Sequence, residues 1–260
     1  MDIISESTER GVVERRFDLK VADEVVPGII WTPEGTTEPR PLILIGHGGT
    51  QHKRVANVLG LARRFVRHLG FSAVAIDAPD HGERVTDDEA ANVARQRLEG
   101  RIASGPGRGT EVSDDEARRW IERAKRGTTD WMATIDALEA EPGLSDGRFG
   151  YWGLSMGTLL GVPLVAREPR ISAAVLGLAG LGKLAGGSGY EAAARSISIP
   201  ILFVFQWHDE LMSRQSGIDL FDALGSTEKT MHVNPGGHVA IPLFERDSYD
   251  DFFRRHLGSG

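Results

Sequence analysis

With 260 residues, 40% of them hydrophobic and 26% charged, the chain has the make-up of a folded globular protein, which excludes disordered and fibrous classes. Its net charge of −7 speaks against a nucleic-acid partner, because phosphate recognition needs a concentrated basic surface. It has no cysteine, which excludes disulfides, thiolate metal sites and a cysteine nucleophile.

Residues 1–10 carry neither a basic start nor an apolar run, so no secretory signal is expected and the cytoplasm is the default location. No segment reaches the roughly 18 apolar residues of a membrane span, so no membrane partner is expected. Segments 12–21 and 24–31 have strand texture with no helix between them, which predicts an antiparallel hairpin at a sheet edge. A third strand, 42–46, is continuously apolar and runs into the turn His47-Gly48-Gly49-Thr50, as a buried parallel strand does. A helical pattern at 55–68 leads to a fourth strand, 71–76, ending at Asp77.

Residues 83–129 are more polar and hold two helical patterns around a breaker at 104–107. They read as an excursion from the sheet, either a small lid or a surface helical pair. Around the start of the second pattern, 115–139, the bases Arg118, Arg119, Arg123, Lys125 and Arg126 are interleaved with Asp114, Asp115, Glu116 and Glu122, as on a solvated helix face. Strands at 148–152, 172–176, 201–205 and 229–233 follow, with helices at 156–166 and 216–224. The alternation predicts one α/β domain over residues 1–260, a mostly parallel doubly wound sheet with helices on both faces and an antiparallel N-terminal hairpin.

The chemistry is concentrated at the ends of these strands. Gly153-Leu154-Ser155-Met156-Gly157 is a G-x-S-x-G pattern that follows an apolar strand and opens an apolar helix, the context in which such a turn exposes a nucleophilic serine. A serine needs a base; His238, after the Gly-rich loop 234–237, is the best placed of the eight histidines. Asp209, just past the strand 201–205, supplies the carboxylate that orients the imidazole, with Glu210 as its rival. The order Ser, acid, His is that of α/β-hydrolases. Oxyanion donors are expected from the Met156 amide and from Gly49, with Thr50 as an alternative.

Together, His47-Gly48-Gly49, Asp77-Ala78-Pro79-Asp80-His81-Gly82, Trp152-Gly153-Leu154-Ser155-Met156-Gly157, Trp207-His208-Asp209 and Gly236-Gly237-His238 resemble the α/β-hydrolase superfamily. Within it, the sequence is similar to the dienelactone-hydrolase-like and acyl-peptidase-like esterases. It departs from dienelactone hydrolases proper in having no cysteine nucleophile, so their substrate does not carry over. Asp77, Asp80, His81 and His47 admit a metal-site reading, but a turn fixed by side-chain to backbone bonds is the preferred one, and no metal or cofactor is expected.

Thr50, Trp131, Trp207, Leu211 and Met212 are candidates for the substrate pocket, which would then favour a neutral group. Lys53 and Arg54 are the nearest bases that could clamp a carboxylate. The expected activity is cofactor-free hydrolysis of a small carboxylic ester through an acyl-enzyme. An amidase, peptidase or thioesterase with the same triad, and a non-catalytic ligand-binding homologue, are the alternatives. The sequence leaves the oligomeric state open, a homodimer included.

Overall fold

The computed structural model describes residues 1–105, 113–182 and 188–258. Among them, nine strands form one mixed sheet. These are β1 (Asp2–Glu9), β2 (Val12–Val21), β3 (Glu24–Pro33), β4 (Leu42–Gly46), β5 (Ser72–Ile76), β6 (Phe149–Gly153), β7 (Ile171–Gly177), β8 (Ile201–Gln206) and β9 (Lys229–Asn234). Their spatial order is β1-β2-β3-β5-β4-β6-β7-β8-β9. Strands β4 to β9 pair in parallel, while β1, β2 and β3 are antiparallel and join the rest where β3 pairs with β5.

The helices are α1 (Ala56–Arg64), continued by a wider turn at Phe65–Leu69, α2 (Asp88–Ala103), α3 (Asp114–Glu139), α4 (Met156–Val165), α5 (Ser188–Ser196), α6 (Arg214–Ala223) and α7 (Glu245–Leu257). Side chains alternate across a strand, so each buried strand feeds two cores. Leu42, Leu44, Val74 and Phe203 pack with Ile135 and Leu138 of α3, Leu159 of α4 and Leu220 of α6. Ile43, Ile45, Val175 and Val204 pack on the other face with Leu61 of α1 and Tyr249, Phe253 and Leu257 of α7.

Two differences from expectation concern elements whose sequence signal is weak. Strand β1 was not anticipated, because all of its residues are exposed and no apolar alternation marks it; it makes the HGGT and Asp77 turns the ends of the fourth and fifth strands. Helices α5 and α7 were not anticipated either, although Tyr249, Phe253 and Leu257 recur at helical spacing and are buried.

The excursion consists of α2, which buries no residue, and the first half of α3, whose buried positions begin at Gly127. Positions 106 and 107 of the anticipated breaker lie outside the described residues. The two helices start at side-chain caps: Asp87 accepts from the Ala90 amide at 2.9 Å and Ser113 from the Glu116 amide at 3.2 Å, satisfying donors that a first turn leaves open. Arg118 and Lys125 pair along the helix surface with Asp115 and Glu122, as expected. Arg123 and Arg126 instead reach Asp80 at 3.1 and 3.0 Å, and Arg126 also reaches Glu24 at 3.0 Å. Two of the five bases, Arg123 and Arg126, therefore fasten α3 toward the sheet rather than facing solvent alone.

The chain runs from β4 to β5 on one side and then crosses to β6 on the other. This reversal opens a crevice at the carboxyl ends of β4 and β6, where parallel α/β sheets place their ligands.

Candidate active site

Ser155 sits between β6 and α4 with φ +57° and ψ −119°, a backbone conformation that a residue with a Cβ rarely adopts. The turn is held on every side. Its amide donates to the Gly177 carbonyl at 3.0 Å. The Tyr151 hydroxyl donates to the Gly157 carbonyl at 2.6 Å, and the Thr158 hydroxyl accepts from the Gly177 amide at 2.7 Å. The flanking glycines are required by close packing: a Cβ on Gly157 would lie 2.5 Å from the Gly46 carbonyl oxygen, and one on Gly153 would lie 2.8 Å from Gly157. The strand end of β4 thus presses against the start of α4, and Ser155 is pushed out above the sheet.

His238 Nε2 lies 2.8 Å from Ser155 Oγ, and its Nδ1 lies 2.8 Å from Asp209 Oδ2. The carboxylate accepts from Nδ1–H, which leaves Nε2 free to accept the serine proton. The other oxygen, Asp209 Oδ1, accepts from the amides of Leu211 and Met212 at 2.8 and 2.9 Å. Both side chains are buried, with His238 and Asp209 each 6% exposed. Glu210, the rival acid, does not touch the imidazole; its Oε2 accepts from the His238 backbone amide at 2.7 Å. The adjacent carboxylates have separate tasks, one on the ring and one on the loop that carries it.

The turn after β4 and the turn after β5 are bound into one unit. The His47 Nε2 accepts from the Ala78 amide at 3.0 Å and its Nδ1–H donates to the Gly48 carbonyl at 2.9 Å; burial pushes its pKa down to about 4, so the ring is neutral. Lys53 is buried and its ammonium donates to Asp77 at 2.6 Å and to Glu83 at 2.5 Å. Asp77 also accepts from the amides of Lys53 and Glu83. Partial burial works to raise the pKa of Glu83, but hydrogen bonds from Arg16 and Lys53 hold it down at about 2. Lys53 is committed to this network and Arg54 pairs with Glu14 at 2.6 Å, so neither is the carboxylate clamp considered from sequence. Asp77, Asp80, His81 and His47 act as turn-fixing groups, and the described residues hold no cluster of three or more potential ligands arranged for a metal.

Ser155 and His238 open into a cavity of about 610 Å³, within the usual range of small-molecule sites. Gly49 and Met156 line it together with Leu211 and Met212. In the turn that starts α4, the amides of Gly157 and Thr158 bond back to Leu154 and Ser155, while the Met156 amide is the first of the helix and belongs to the set that a helix start leaves open. Thr50, with φ +60°, lines a neighbouring cavity under α2 and α3. Trp131 and Trp207 are corrections. Trp131 is core, packed edge-on against Tyr151. Trp207 is 42% exposed with Arg214 stacked on its ring. Neither lines the cavity.

Several cavity residues were not anticipated. The excursion contributes Leu98, Arg101, Ile102 and Trp120, and the opposite wall is formed by Val55 and Leu61 of the α1 region and by Trp152, Ile241 and Tyr249. Leu98, Ile102 and Trp120 read as apolar positions of the excursion, but no local pattern says that it meets the α1 and α7 side over Ser155.

No protein-family model and no curated protein sequence matches the chain. Solved structures do. A cold-adapted esterase from an Arctic intertidal metagenomic library, in complex with PEG, is 36% identical and covers 99% of this chain and 100% of its own, with a TM-score of 0.80. Acetyl xylan esterase from Paenibacillus sp. R4 has 17% identity and a TM-score of 0.71, covering 98% of this chain and 88% of its own. Dienelactone hydrolase from Anabaena variabilis has 15% identity and a TM-score of 0.64, covering 95% of this chain and 100% of its own. The last two share the fold. The chain belongs to the α/β-hydrolase superfamily. It belongs to the same family as the cold-adapted esterase, and so is a carboxylic-ester hydrolase.

Proposed function

We propose that this chain hydrolyses small carboxylic esters by a Ser155, His238, Asp209 triad through an acyl-enzyme. The observation that carries this reading is the unbroken pair of 2.8 Å hydrogen bonds from Ser155 Oγ through the imidazole to the Asp209 carboxylate, at the floor of a cavity of substrate size.

His238 Nε2 takes the serine proton as Oγ bonds to the ester carbonyl carbon. The amides of Gly49 and Met156 receive the oxyanion. The imidazolium, held in orientation by Asp209, returns its proton to the alcohol as the ester C–O bond breaks. Water then gives a proton to His238 and attacks the acyl carbon, and collapse of the second oxyanion releases the carboxylic acid and restores the serine. Leu211 and Met212 supply apolar contact, favouring a neutral group beside the ester. The excursion at residues 83–129 serves as a cover for the cavity within a single catalytic domain, because it lends Leu98, Ile102 and Trp120 to the wall.

Hydrolysis of p-nitrophenyl esters from acetate to decanoate, by wild type and Ser155→Ala in parallel, tests this. The expected result is turnover that rises and then falls with chain length and drops at least about a thousandfold in the variant. Equal rates in the two proteins would overturn the reading.

A further inference from the structure

His238 is carried by a loop with little shape of its own, Asn234-Pro235-Gly236-Gly237, yet its ring meets Ser155 and Asp209 at once. What holds that loop is the segment that carries the acid. The Trp207 amide donates to the Asn234 carbonyl at 2.7 Å and the His208 amide to the Gly236 carbonyl at 3.1 Å, which prolongs the pairing of β8 with β9. Beyond these, two side chains take over. Gln206 Nε2 donates to the Gly237 carbonyl at 2.9 Å, and Glu210 Oε2 accepts from the His238 amide at 2.7 Å. That carbonyl and that amide are the two poles of one peptide unit, the one that precedes the base.

The cost of placing these side chains here shows what they contribute. Gln206 is 0% exposed, at the end of a strand whose other five residues are apolar. Among the described residues its side chain bonds only to Gly237, and its Oε1 has no partner. A buried amide with one pole unpaired costs free energy that a methionine of similar size would not, so the bond to Gly237 is what the glutamine adds. Glu210 is partly buried, and a Cβ on Gly237 would overlap its carboxylate. The glycine before the base is therefore what lets Glu210 close on that peptide.

We infer that Gln206 and Glu210 are positioning residues that clamp the Gly237–His238 peptide from both poles and so hold the imidazole against Asp209. This rests on the triad reading of Ser155, His238 and Asp209 and adds to it the device that keeps acid and base in register. A peptide unit is planar and stiff, but the glycines before His238 leave the chain free to swing that plane. Fixing the carbonyl and the amide together stops the swing and sets the direction in which the His238 side chain leaves the loop. Acid and base then ride on one unit, and the 2.8 Å contact between Asp209 and His238 persists while Nε2 exchanges protons with the serine, the alcohol and water.

The test measures kcat and KM for p-nitrophenyl acetate in Gln206→Met, Glu210→Met and Glu210→Gln, each made in the wild-type and in the Asp209→Asn background. Thermal melting establishes that each variant folds. Glu210 is only partly buried, so Glu210→Met carries the test even where the buried Gln206 position does not tolerate exchange. The expected result in the wild-type background is a fall in kcat of about tenfold for Gln206→Met and about a hundredfold for Glu210→Met, with KM within about twofold. Glu210→Gln keeps an acceptor and stays within about tenfold of wild type. In the Asp209→Asn background, where the imidazole has already lost its orienting acceptor, either methionine variant costs less than about threefold. A general loosening of the fold would cost the same factor in both backgrounds. Equal factors in the two backgrounds, an unchanged kcat in folded Glu210→Met, or a loss confined to KM would each overturn the inference while leaving Ser155-dependent turnover by wild type in place. Absence of Ser155-dependent turnover by wild type would instead remove the triad reading on which it rests.

Discussion

At the scale of single residues, the site depends on a serine held in a conformation that costs of order 1–3 kcal/mol, at φ +57°. That strain persists because Tyr151, Thr158 and the Gly177 carbonyl fix the turn around it. The two carboxylates of the acid loop separate cleanly by what they hold. Asp209→Asn is expected to lower kcat by roughly 10⁴, by presenting a donor to the imidazole and selecting the wrong tautomer. Glu210→Gln, which keeps an acceptor for the His238 amide, is expected to cost less than about tenfold. Steady-state kinetics of the two variants decides; the reverse ranking would move the acid to Glu210. The proposed nucleophile, base and acid were legible because a G-x-S-x-G turn, a histidine after a glycine-rich loop and a carboxylate past a late strand occur in the required order. The choice between Asp209 and Glu210 was not, since neighbouring carboxylates differ only in which way a folded loop turns them.

At the scale of elements, the loops that flank the nucleophile are joined by a buried cation. Lys53 and Asp77 are both buried and 2.6 Å apart, and removing one member of such a pair strands the other's charge. Lys53→Met is expected to destabilise the fold by about 3 kcal/mol and to reduce kcat more than it raises KM, because Gly49 lies on the loop that Lys53 anchors. Chemical denaturation together with kinetics measures both, and unchanged stability would contradict the account. Strands β4 to β8 were readable from sequence because they are buried on both faces and hence continuously apolar. Strand β1 has no buried face to mark it, and β1 pairs only with β2. Trp131 and Trp207 were misplaced for a related reason: periodicity states that a helical or loop residue is apolar, not which of two faces of the sheet it serves.

At the scale of the whole molecule, acid sensitivity follows from a neutral buried histidine. His47 has a folded pKa of about 4 against an ordinary 6.5, so between those values the unfolded chain binds a proton that the native one refuses. The associated stability is fully present above pH 6.5 and is lost as pH falls toward 4, by about 3 kcal/mol. Burial lowers His81 in the same direction. Glu83, held at about 2, adds a further loss that begins below its ordinary 4.5 and continues toward 2. Denaturant midpoints are expected to fall as pH drops from 6.5 to 4, and a flat profile over that range would contradict it. The meeting of the excursion with the α1 and α7 wall over Ser155 is the least legible feature of the molecule, because it depends on how far a polar helical pair folds back, which no local pattern encodes. The central claim, that Ser155 is an activated nucleophile, is tested most directly by treating the protein with a fluorophosphonate and locating the adduct by intact and peptide mass analysis. The account predicts one adduct per chain, on Ser155, with loss of ester hydrolysis in step with labelling and no adduct in His238→Ala on the same timescale. Hydrolysis that survives full labelling of Ser155, or an adduct carried by a different residue, would contradict it.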